Sequence, residues 1–81
     1  MSQHTLKTWP GYFRAIKRGD LTGCVRNDDR RFAVGDLVLL REWSSVTEQY
    51  TGRELVRRVT YVLRDIEGLA PGYACLSFGE P

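Results

Sequence analysis

The chain has 81 residues, 42% of them hydrophobic and 27% charged, with a formal net charge of +2. That length leaves room for one domain, residues 1–81, and a modest core that buries roughly 60–65% of the surface exposed by the unfolded chain. The composition excludes a disordered chain, and no apolar run approaches the ~20 residues that a membrane-spanning helix needs.

The type of base says more than the net charge. Ten of the twelve basic residues are arginine, whose planar fork suits bidentate contact with phosphate and stacking on bases. Ion pairing with the ten acids is the competing use. Cys24 and Cys75 are isolated cysteines and His4 is the single histidine, so neither a zinc site nor any other metal site is expected. Met1-Ser2-Gln3-His4 lacks the basic-then-apolar order of a signal peptide, and a cytoplasmic location with no membrane partner is the expectation.

In chain order, residues 3–7 read as a short opening strand. Trp9, Tyr12, Phe13 and Ile16 then fall at helical spacing on one face. Thr8 suits the N-cap, Pro10 the first turn and Gly19 the left-handed residue past the end. Arg14, Lys17 and Arg18 take the solvent side and suit the helix C-terminus. A strand is expected over 21–26, weakened by Gly23. A turn at Val34-Gly35-Asp36 leads into a strand over 37–43, apolar on both faces at its start. Residues 44–52 form a polar loop. A long strand over 53–64 carries Leu55, Val59, Tyr61 and Leu63 on one parity and Val56 and Val62 on the other. A loop over 65–72 and a closing strand over 73–78 complete the order, which points to a small, partly open β-barrel crossed by one helix.

The densest charge is in Arg26, Asp28, Asp29, Arg30 and Arg31, between two apolar runs. Asp28 and Asp29 suit a solvated turn, whereas Arg26 and Arg30 are candidates to face a negative ligand. Asn27 adds an amide able to donate to and accept from a base edge. Trp9, Trp43 and Tyr50 are candidate stacking platforms for bases; Trp9 continues the helix's apolar stripe, which favours a core place for it, whereas Trp43 and Tyr50 flank the polar loop. The dispersed glycines form neither a Rossmann nor a Walker pattern, and no cofactor is expected.

Taken in order, His4-Thr-Leu-Lys7-x-Trp-Pro-x-Tyr-Phe13, Ala15-Ile-Lys-x-Gly19, Val25-Arg-Asn-Asp28-x-Arg30, Phe32-x-Val-Gly-Asp36, Leu40-Arg-Glu-Trp43 and Tyr50-Thr-Gly-Arg53 resemble a group of small ASCH, PUA-like proteins of bacteria and phages. The resemblance runs from His4 to about Ser77. It implies an α+β, mainly β chain: a PUA-like pseudo-barrel of about five strands with one N-terminal helix packed at its mouth. It also implies RNA or nucleotide binding in a cleft beside the helix, formed by a Gly-x-Lys-x-x-Glu-x-Arg segment. Here that segment reads Gly19-Asp20-Leu21-Thr22-Gly23-Cys24-Val25-Arg26. The arginine is kept as Arg26, while the lysine and glutamate slots hold Leu21 and Cys24. Some ASCH proteins hydrolyse acetylated cytidine with a lysine in the first slot and a threonine in the second, and others are reported as ribonucleases. Leu21 can neither act as a base nor stabilise negative charge.

A non-catalytic RNA- or nucleotide-binding module is therefore expected. Arg26 and Arg30 would contact phosphate, Asn27 a base edge, and Lys7 with His4 the cleft wall, with Arg41 and Trp43 extending the surface. Two other readings stand beside it. One is a hydrolase of a modified nucleoside or RNA with Cys24 as nucleophile. The other is a protein partner, with the chain acting as a phage or bacterial modulator. A monomer, or a weak dimer through open strand edges, is expected.

Overall fold

The computed structural model describes residues 2–81. The element order is β1 (Gln3–Thr8), α1 (Pro10–Arg18), β2 (Gly23–Asn27), β3 (Leu37–Ser44), β4 (Gln49–Leu63) and β5 (Tyr73–Gly79). The strands form one five-stranded sheet in the order β1-β3-β4-β5-β2. Only the β1–β3 pair is parallel, so the sheet is mixed, and no main-chain ladder joins the two end strands among the described residues. The molecule is mostly β with one short helix. Among the described residues no helix is long and apolar enough to cross a membrane.

One face of the sheet carries the core. Leu6, Val38, Leu40, Val59, Ala74, Leu76 and Phe78 alternate inward along their strands and pack with Ile16 of the helix. Each fully buried Leu, Ile, Val or Phe contributes about 1.5–3 kcal/mol relative to an exposed position. Phe32 joins this core at 1% exposure, although it follows the charged stretch directly. The loop of arginines and aspartates is thus pinned by an aromatic plug.

Four expectations about local structure change. Thr8 ends β1 and is buried, and the helix N-cap is Trp9, which makes no side-chain capping bond. Only Phe13 and Ile16 of the helical stripe are buried, whereas Trp9 is 47% and Tyr12 61% exposed. Trp9 and Tyr12 line a groove beside the helix instead of entering the core. In β4, a register shift between Val59 and Tyr61 inserts one extra residue. That bulge brings Val62 round to pack against the core and leaves Tyr61 59% exposed, reversing the expected parity past Val59. β4 also begins at Gln49, so the expected 44–52 loop shrinks to a hairpin turn.

Gly23 has a steric reason in β2. A Cβ built there would lie 2.2 Å from the Leu76 carbonyl oxygen, so only glycine lets β2 lie this close to β5. Gly19, at φ 86°, supplies the left-handed C-cap, and the N–H of Asp20 returns to the Ala15 carbonyl at 2.9 Å.

Candidate functional site

A groove of about 600 Å³ lies where the end of β1, the helix and β2 meet. Its floor holds Thr8, Ile16, Leu21 and Cys24, and its lips carry Lys7, Trp9, Tyr12, Val25 and Arg26. Trp9, the N-cap, and Tyr12, in the first turn, stand open to solvent at the groove while Phe13 is buried.

Arg26 spans this groove. Its Nη2 donates to the Lys7 carbonyl at 2.9 Å and to Thr8 Oγ1 at 3.4 Å, and its Nε lies 3.5 Å from Cys24 Sγ. Its Nη1 makes no hydrogen bond to the described residues. Arg30 donates through Nη1 to the Thr5 carbonyl. Both arginines therefore reach from the β2 end of the sheet to carbonyls on the free edge of β1. They occupy acceptors that an edge strand would otherwise offer to another chain.

Burial pushes the Cys24 thiol above its ordinary value, and the adjacent Arg26 offsets only part of that rise. A buried, protonated thiol is a poor nucleophile. Leu21 packs against the core beside it. The floor of the groove is accordingly apolar.

The remaining expected site residues lie elsewhere. His4 is not in the groove lining. Its Nε2 lies 3.0 Å from Asp36 Oδ2, and its ring packs edge-on against Phe32 at 4.8 Å. It points inward because β1 alternates, and His4 shares the parity of buried Leu6 and Thr8. Asn27 ends β2 opposite Tyr73 and is exposed. Lys7 joins the groove to the outer sheet face, where its Nζ stands 4.2 Å above the Trp43 ring. Trp43 meets Tyr50 edge-on at 5.0 Å, and Arg41 lies 3.9 Å from the Tyr50 ring with its Nε 3.0 Å from Glu54 Oε2. Lys7, Trp43, Tyr50 and Arg41 thus form one cation–aromatic ladder across β1, β3 and β4.

Three features carry structure that residue pattern alone did not reveal. Asp28 is no solvated turn residue: it accepts from the Phe32 N–H at 3.0 Å and from Arg64, which also donates to the Phe32 carbonyl. The Arg64 hydrogen bond holds the Asp28 carboxyl below its ordinary range. Asp36 is buried. Burial alone would raise its carboxyl, but hydrogen bonds from the Ser2 N–H, His4 and the Ala33 N–H outweigh that and hold it low. Glu42 is 1% exposed on the inner face of β3, where Oε1 accepts from Thr51 at 2.7 Å and from Arg53 at 3.3 Å while Oε2 has no partner among the described residues. Its sequence signal was present: Leu40-Arg-Glu-Trp43 and Tyr50-Thr-Gly-Arg53 are the two stretches that this carboxylate joins. Among the described residues no group of three or more His, Cys, Asp and Glu side chains stands close enough to hold a metal ion.

A small, mostly β domain with one helix laid beside an aromatic-lipped groove is the class that this fold and site define. Residues 3–78 match the family described as a domain of unknown function, DUF3850, and the chain belongs to that family. No curated protein matches the sequence.

Proposed function

We propose that this chain is a cytoplasmic, non-catalytic module of PUA-like type that binds RNA or a nucleotide-like ligand in the groove between β1, α1 and β2. The observation that carries this reading is the pairing of exposed Trp9 and Tyr12 rings with the open Nη1 of Arg26 across an apolar floor. Aromatic rings at a lip offer stacking surfaces for a base, and a neighbouring guanidinium offers a fork for its phosphate. The groove's volume falls within the roughly 300–1,000 Å³ common to small-ligand sites. Lys7 sits beside it, so a phosphate at this lip competes with the Trp43 ring for the ammonium group. Arg41 and Trp43 extend the same surface outward. Arg30 acts chiefly through β1, and His4 supports the strand from beneath.

The hydrolase reading has little support in this groove, because Leu21 supplies no charge and Cys24 is held as a thiol. The ligand is bound, not turned over.

Tryptophan fluorescence tests the binding site directly. In a Trp43→Phe variant Trp9 is the only tryptophan, and titration with single-stranded oligoribonucleotides should quench it. Replacing Tyr12 by Ala in that background should weaken binding about tenfold, equivalent to the ~1–3 kcal/mol of one stacked base. An unquenched Trp9, or an affinity indifferent to Tyr12→Ala, would place the ligand elsewhere.

A further inference from the structure

A second pocket, of about 530 Å³, opens at the far end of β2, and its lining includes Asp28, Arg31, Arg64, Asp65 and Tyr73. Asp28 and Arg64 are committed to each other. Nε and Nη2 of Arg64 donate to the two Asp28 carboxylate oxygens, and Nη2 also to the Phe32 carbonyl. The other polar groups are unused: Arg64 Nη1, the Arg31 guanidinium, the Asp65 carboxylate and the Tyr73 hydroxyl make no hydrogen bond to the described residues. Arg31 stands near enough to Asp28 for its charge to help hold that carboxyl low, yet Arg64 already fills both oxygens. The pocket therefore offers a free cation, a free carboxylate and an aromatic ring.

The backbone around it is strained. Among the described residues three non-glycine positions have a positive φ, and two of them, Arg31 at 52° and Asp65 at 53°, line this pocket. Each such residue costs on the order of 1–3 kcal/mol, and such strain gathers at ligand clamps. At Arg31 it parts two neighbours: Arg30 reaches back to the Thr5 carbonyl of β1, whereas Arg31 lines the pocket.

The pocket also continues the groove. Arg26 lines the groove and Asp28 the pocket, two positions on along the same chain direction, a step of roughly 6.6 Å. Between them Asn27 ends β2, exposed, with Tyr73 opposite.

Resting on the reading that the groove binds RNA or a nucleotide, we infer that this pocket is a second nucleotide subsite, and that the ligand is a single RNA strand reaching from Trp9 and Tyr12, past Asn27, to Tyr73. Arg31 and Arg64 Nη1 hold a phosphate of this strand. The Tyr73 ring, 42% exposed, stacks on a base. Asp65 accepts from the exocyclic amino group that cytosine, adenine and guanine carry and uracil lacks. A mononucleotide fills one subsite only, and a duplex keeps its bases stacked on one another and away from both sets of rings.

Trp9 fluorescence in the Trp43→Phe background separates the two subsites, with a cytidine dinucleotide and a cytidine hexanucleotide as ligands. Both should quench Trp9, and the hexanucleotide should bind about tenfold tighter or more, the worth of one further stacked base. Arg31 and Tyr73 are exposed and their side chains make no hydrogen bonds, so Arg31→Gln and Tyr73→Ala should fold normally. Each should weaken the hexanucleotide about tenfold and leave the dinucleotide unchanged. Arg31→Gln should also make the hexanucleotide's salt dependence shallower by about one phosphate contact. A uridine hexanucleotide should bind more weakly than the cytidine one, a difference that Asp65→Ala abolishes. One affinity for both lengths, or a hexanucleotide indifferent to both Arg31→Gln and Tyr73→Ala, would overturn this inference while the groove stands. Quenching of Trp9 by neither ligand would overturn the groove reading and this extension together.

Discussion

Arg26, on β2, donates to the main-chain carbonyl of Lys7, on β1, at 2.9 Å, although these two strands stand at opposite ends of the sheet. The side chain does what a ladder of main-chain bonds does elsewhere in the sheet. It satisfies an edge acceptor and holds the two ends together around the groove. A hydrogen bond from a charged donor is worth about 1.5–3 kcal/mol, and less where solvent competes. Arg26→Ala should therefore lower stability by about 1 kcal/mol, and Arg30→Ala, at an exposed position, by less. Urea denaturation of both variants gives the values. An unmoved midpoint in Arg26→Ala would show that the bridge contributes nothing to the fold.

The Glu42 network separates two kinds of bond to one buried carboxylate. Thr51 donates at 2.7 Å, whereas Arg53 donates at 3.3 Å from a side chain that is 67% exposed. Thr51→Val should cost about 1.5–3 kcal/mol, because it leaves a buried charge short of a donor. Arg53→Ala should cost under about 1 kcal/mol, as exposed ion pairs do. The reverse order in thermal melts would mean that charge pairing, and not the hydroxyl, holds the hairpin.

Acid should weaken the fold through Asp28 and Asp36. Both carboxyls titrate below their ordinary range in the folded chain. Their contribution is complete above the unfolded value, about 3.9, and is lost as pH falls through the lower folded values. Denaturation midpoints measured from pH 6 down to about 2 should fall across that window. Asp28→Asn should remove part of the slope. An identical acid profile in that variant would contradict the role given to the Arg64 pair.

Cys24 should react slowly. With Cys75→Ser removing the other thiol, iodoacetamide labelling at neutral pH should be slower than for a free-thiol peptide, since burial keeps the thiol protonated. Labelling faster than the peptide would restore Cys24 as a candidate nucleophile.

Local pattern made much of the fold legible. The helix, its Gly19 stop and the five strands follow from periodicity and turn residues, because these are properties of neighbouring positions. What it could not supply were relations between distant ones. The Thr60 bulge reverses the parity of β4 only because β5 pairs in two registers on either side of it. Trp9 and Tyr12 share the spacing of Phe13 and Ile16 yet stay exposed, because they face the groove between β1, the helix and β2 and not the core. The destinations of Arg26, Arg30 and Arg64 depend on which carbonyl or carboxylate the fold brings within reach. Charge density marked the segment, and tertiary structure set its arginines as clasps on distant carbonyls and carboxylates.

The most direct measurement is fluorescence anisotropy of short labelled single-stranded and hairpin RNAs with the purified protein at two salt concentrations. The account predicts micromolar or tighter binding that weakens as salt rises, with a shallower salt dependence in a folded Arg26→Ala variant. No binding at low salt would contradict it, as would an affinity and salt slope left unchanged by that substitution.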